Sequence, residues 1–168
     1  YIEGETLRAR LEREGRLPVD VALQLVRDMA DALEHAHRHG VIHRDVKPEN
    51  VLLQSDGGQG GQGCNALVAD FGIALALEHA GGERLTKTGI TLGTPQYMAP
   101  EQATGEGKID ARTDVYALGA VTHEMIAGEA PFAAASRQAV LQRVLYVQPV
   151  ALSTRRRDVS SSIDAAVR

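Results

Sequence analysis

Apolar residues recur at helical spacing along much of this chain, interrupted by short apolar runs and one long stretch without period. Leu7 and Leu11 lie one turn apart within Thr6 to Glu14, a short helix that Gly15 ends. Pro18 opens the next element. There Ala22, Leu25, Val26, Met29, Leu33 and Ala36 follow at three- and four-residue steps, which predicts a core-facing helix closed by Gly40. Val51-Leu52-Leu53 and Leu67-Val68 bound a stretch of Gly, Gln, Ser and Asn at 54–65 and predict a small hairpin with an enlarged loop. From Gly72 to Pro100 no period is sustained. Asp114 to Ala127 carries Val115, Leu118, Val121, Met125 and Ile126, which predicts a helix buried on most faces and stopped by Gly128. Ser136 to Val144 reads as a further amphipathic helix, and residues 160–168 as a helix start. The predicted fold class is mainly α with a small β-hairpin.

Composition narrows the function classes. A chain of 168 residues, 43% of them apolar, builds one core rather than two domains. A net charge of −4 makes no case for nucleic acid or an anionic membrane as partner. The lone Cys64 excludes an internal disulfide framework. No apolar run approaches the ~20 residues needed to span a bilayer. Arg155, Arg156 and Arg157 read as a solvated basic loop. His35, His37 and His39 alternate near a helix end, where neighbours two apart point away from one another; they suit the helix dipole better than a shared metal ion. Gly58, Gly60 and Gly63 satisfy G-x-G-x-x-G, but the short apolar strand Ala66-Leu67-Val68-Ala69 follows them rather than a helix, and Asn65 stands where a phosphate-covering glycine loop has Val, so they are read as hairpin loop.

The chemistry is concentrated in two motifs. Residues 43–50 read His43-Arg44-Asp45-Val46-Lys47-Pro48-Glu49-Asn50, and twenty positions after Asn50 comes Asp70-Phe71-Gly72. An Asp with an Asn five residues on, then a second Asp beside Gly, is the carboxylate and amide set used in phosphoryl transfer from a metal-bound nucleotide. With these motifs the chain resembles the protein-kinase family. The resemblance implies a single kinase domain over 1–168, in the form of the large C-terminal lobe: hinge at 1–5, catalytic loop at 43–50, activation segment at 70–101 and central buried helix at 114–127. The small lobe, with its Gly-rich loop, β3 lysine and αC glutamate, would lie upstream of Tyr1, and the last helices of the lobe would be truncated.

What the resemblance implies for individual residues is specific. Asp45 is the expected catalytic base, with Lys47 set against the transferred phosphoryl group and Thr94 hydrogen-bonded near both. Asn50 and Asp70 would hold Mg²⁺, and Ile2, Lys47, Asn50 and Asp70 would contact ATP. Lys47-Pro48-Glu49-Asn50 and Gly93-Thr94-Pro95-Gln96-Tyr97-Met98-Ala99-Pro100-Glu101 favour Ser and Thr hydroxyls as acceptors. Arg44 would pair with phosphate on the loop, with Thr86, Thr88 and Thr91 as sites of regulatory phosphorylation. His43, Phe71, Gly72, Glu101 and Asp114 are structural: Asp114 would hold the backbone of the catalytic loop, and Glu101 would take an Arg from a later helix. His37 is a packing residue.

The implied activity is that of a bacterial-type serine/threonine protein kinase, with ATP and Mg²⁺ as cofactors and proteins as substrates. Self-association or phosphorylation in trans is expected, and nucleic acid is not a partner. The domain would be cytoplasmic, in a protein anchored to a membrane by a segment outside this chain. The lobe by itself would not turn over, because the family's lysine-glutamate pair is absent from it. The alternatives are a pseudokinase or scaffold, and a small-molecule phosphotransferase of related fold.

Overall fold

The structure, a computed structural model, describes residues 4–55, 64–71, 94–105 and 107–167. Ile2, Gly72, Thr86, Thr88, Thr91 and the glycines at 58, 60 and 63 lie outside the described residues.

Three antiparallel strands run in the order β1 (Gly4–Thr6), β2 (Val51–Ser55), β3 (Cys64–Val68). The register pairs Glu5 with Leu53, Leu53 with Ala66 and Val51 with Val68. The predicted hairpin therefore gains a third strand from 4–6, a segment too short to carry a period. Glycine is required at its start. A Cβ on Gly4 would sit 2.1 Å from the carbonyl oxygen of Leu53.

Helix α1 (Leu7–Glu14) follows without a break, capped by Thr6, whose hydroxyl accepts from Ala9 N at 3.1 Å. Helix α2 (Val19–Arg38) buries Ala22, Leu25, Met29 and Leu33, the stripe that the spacing predicts, against β3 and the central helix. After residues 39–50 and the sheet come α3 (Pro100–Thr104), α4 (Ala111–Ala127), α5 (Arg137–Tyr146), α6 (Leu152–Arg155) and α7 (Ser161–Val167). Leu7, Leu17, Leu25, Met29, Val51, Val121, Met125 and Ile126 are sealed from solvent in one core. The short helices α3 and α6 escape sequence reading because one turn shows no periodicity.

Helix α4 begins three residues earlier than its apolar run, since Asp110 caps it by accepting from Arg112 N at 3.0 Å. The Arg112 guanidinium, and then its backbone N–H, pull the Asp110 carboxyl from 3.8 down to about 2. A depressed folded value means the cap contributes fully above 3.8 and is lost as pH falls through about 2. The gap in melting temperature between parent and Asp110→Ala is therefore expected to be widest near neutrality and to close towards pH 2.

The basic run is not wholly solvated. Arg156 donates to the Leu17 carbonyl and pairs with Asp158, and Arg155 pairs with Glu129, so two of the three arginines fasten the chain's last segment to its neighbours. Among the described residues no helix is long and apolar enough to cross a membrane.

Candidate active site

Residues 39–50 connect α2 to β2, and their path is set from the central helix. Asp114, in the first turn of α4, is fully buried. Its two carboxylate oxygens accept the backbone N–H of His43 at 2.8 Å and of Arg44 at 2.7 Å. His37, on α2, places its Nε2 2.7 Å from the same carboxylate, so it has a polar task beyond packing. Immediately after these two anchored N–H groups the chain changes direction at Arg44, whose φ is 69°. That left-handed conformation is unfavourable for a residue with a Cβ.

Past this turn the functional side chains meet. Lys47 Nζ lies 2.6 Å from Asp45 Oδ2, a charge-assisted contact, and Asn50 Nδ2 donates to the same oxygen at 3.2 Å and to the Asp45 carbonyl at 2.9 Å. The one-turn helix Pro48–Asn50 brings Asn50 back over Asp45. With the Asn50 side-chain Nδ2 committed to Asp45, its side-chain Oδ1 is the atom that could face a cation.

The hairpin then closes the twenty-residue gap to the second motif. Because Val51 pairs with Val68, Asn50 and Ala69 are neighbours, joined by Ala69 N donating to the Asn50 carbonyl at 2.8 Å. His43, buried, accepts from Asp45 N at Nδ1 (3.3 Å) and so donates from Nε2 to the Ala69 carbonyl at 2.8 Å. Its ring meets Phe71 edge-on, centroids 4.7 Å apart. Asp70, exposed and with φ at 62°, is carried between these two anchors.

The segment from Thr94 to Gln102 faces residues 44–46. Arg44, Asp45, Val46, Thr94, Tyr97, Met98 and Gln102 line a narrow crevice of about 20 Å³. Thr94 is thus brought to Asp45, but among the described residues its hydroxyl makes no hydrogen bond to Asp45 or Lys47, which are bonded to each other. Glu101 has a nearer partner than the Arg expected from a later helix: buried Thr113 donates to its carboxylate at 2.6 Å, tying α3 to α4.

Sequence reading misses a second polar cluster behind the loop. Arg8 of α1 donates to Glu124 of α4 at 2.9 Å, to Glu49 of the catalytic loop at 3.1 Å, and to the Tyr97 hydroxyl, which in turn donates to Glu124. Burial, and then the Glu124 carboxylate, hold the Tyr97 phenol far above its ordinary range, so it remains a donor. The signal was available. A lone Glu in an apolar helix run is buried only when paired. Glu124→Leu should cost about 3 kcal/mol by stranding Arg8, and Arg8→Met added to it should recover part of that loss. Urea unfolding of the two single variants and the double tests this; simple additivity would contradict it.

The chain matches the protein kinase domain model over residues 1–165 and belongs to that family. Over 168 residues it is 42% identical to serine/threonine-protein kinase PknB of Mycolicibacterium smegmatis, covering 99% of this chain and 25% of that protein. PknB of Mycobacterium tuberculosis (strain H37Rv) is 39% identical over the same length. PkaB of Streptomyces coelicolor is 46% identical over 143 residues, 84% of this chain and 33% of that protein. The chain thus spans a quarter to a third of the length of these relatives.

Proposed function

We propose that these residues form the large lobe of a protein serine/threonine kinase, with Asp45 as catalytic base. The supporting observation is the Asp45 carboxylate, which receives Lys47 and Asn50 on one oxygen while remaining 39% exposed towards the crevice. Asp45 accepts the proton of an incoming hydroxyl, as a positioned carboxylate can. Lys47 offsets charge that develops beside it. The relatives named above are serine/threonine-protein kinases, which supports Ser and Thr as acceptors.

The donor set fits Mg²⁺ and a nucleotide. The Asn50 side-chain Oδ1 and the Asp70 carboxylate are hard oxygen ligands on adjacent, hydrogen-bonded elements. When bound, Mg²⁺ and ATP supply the phosphoryl group and neutralise its charge. Asn50 and Asp70 would hold the metal, and Ile2 backbone and Lys47 would orient the nucleotide. Arg44, beside the base, would pair with a phosphate carried on Thr86, Thr88 or Thr91 and so order the loop. The family's Gly-rich loop and lysine-glutamate pair are not among the 168 residues, so the chain alone is proposed to be inactive.

The test is intact mass after incubation with Mg²⁺ and ATP, using the intact protein that carries this lobe with a small lobe. Phosphate is expected on Thr86, Thr88 or Thr91, at a rate that rises with protein concentration if transfer is in trans. No added mass, and no transfer to a generic Ser/Thr substrate, would favour a pseudokinase or scaffold instead.

A further inference from the structure

We propose that Gln102 is a positioning residue that sets the peptide between Arg44 and Asp45, and through it the aim of the Asp45 carboxylate. This rests on the reading of Asp45 as the base.

Arg44 sits at φ 69°, a conformation that persists where its surroundings over-determine it. Asp114 restrains the peptide before Arg44, through Arg44 N. The peptide after it is restrained from a different element: Gln102 Nε2 donates to the Arg44 carbonyl at 2.7 Å. The amide end of that same peptide, Asp45 N, has only a long 3.3 Å contact to His43 Nδ1. The carbonyl end therefore carries the firmer restraint. Rotation of this peptide would swing the Asp45 side chain across the crevice that Gln102 itself lines.

The Gln102 amide is itself locked. Its Oε1 accepts from Ala99 N at 3.0 Å, capping the start of α3, while its backbone N donates to the Ala99 carbonyl at 3.0 Å. One planar group thus accepts from the helix start and donates to the catalytic loop. Among side chains of this length, glutamine alone does both. Glutamate keeps the acceptor, and at this third helical position it caps at least as well. It lacks the donor, and sets a carboxylate against a carbonyl oxygen. Gln102→Glu therefore separates the cap from the clamp, whereas Gln102→Met removes both.

In the intact protein that carries this lobe, Gln102→Glu is expected to lower kcat by about tenfold to a hundredfold, the scale of a misplacement near 1 Å. KM for ATP and for a Ser/Thr peptide should stay within about twofold of the parent and the melting temperature should hold, since a small geometric error spares binding. In parallel, hydrogen exchange on the same intact protein should show faster exchange at residues 44–46 in Gln102→Glu, with α3 unchanged. A kcat equal to the parent's, or unchanged exchange at 44–46, would overturn the proposal. Asp45→Asn serves as the blank. If the parent shows no Asp45-dependent transfer, the kinase reading fails, and the exchange result alone decides whether the clamp exists.

Discussion

Asp45→Asn in the intact protein is expected to lower kcat by about 10²- to 10⁴-fold, the usual contribution of a positioned acid or base. The variant is nearly isosteric. Its amide oxygen can still accept from Lys47 and Asn50, which now meet at Asp45 Oδ2 at 2.6 and 3.2 Å, so the loop should keep its path. What is lost is the capacity to take a proton. KM for ATP should change little, because Asn50 Nδ2 keeps the Asp45 backbone carbonyl at 2.9 Å and Asp70 is placed by the Asn50–Ala69 and His43–Ala69 hydrogen bonds. Steady-state kinetics with a Ser/Thr peptide, alongside thermal melts, would check this. A comparable fall in melting temperature would assign Asp45 to structure, and a kcat near the parent's would remove it from the chemistry.

Asp114→Ala should have the largest effect on stability, about 3–5 kcal/mol. The substitution leaves a fully buried cavity in which two backbone N–H groups and the His37 ring nitrogen lose their acceptor. Each stranded donor costs about 1–3 kcal/mol. Asp114→Asn retains shape but presents an NH₂ to groups that are themselves donors, so it should fall between Ala and the parent. Urea unfolding of the three proteins gives the comparison. A loss below about 1 kcal/mol for Asp114→Ala would mean that the turn at Arg44 is held by local sequence and not from α4.

How far these features could be read from the chain varies with the physics behind them. The stripe on α2 and the apolar run of α4 appear in the sequence because burial along a long helix repeats every three or four residues. The three strand residues Gly4–Thr6 and the single-turn helices Pro100–Thr104 and Leu152–Arg155 carry too few residues to show any period. The start of α4 was displaced because a capping Asp, not an apolar residue, marks it. Arg155 and Arg156 read as solvated because the Glu129 carboxylate and the Leu17 carbonyl that receive them are remote in sequence.

For the site, sequence alone determined which residues are the candidate reagents. Asp45, Lys47, Asn50 and Asp70 have side chains whose chemistry and order along the chain identify the family before any coordinate is known. Tertiary structure decided how they are held. The hairpin register makes Asn50 and Ala69 neighbours, the buried Asp114 collects His37, His43 and Arg44, and Arg8, Glu49, Tyr97 and Glu124 join from four separate segments. The reason is the same in each case. A local motif encodes which groups can react, but a buried polar contact depends on partners far apart in the chain, and only folding brings a donor to its acceptor.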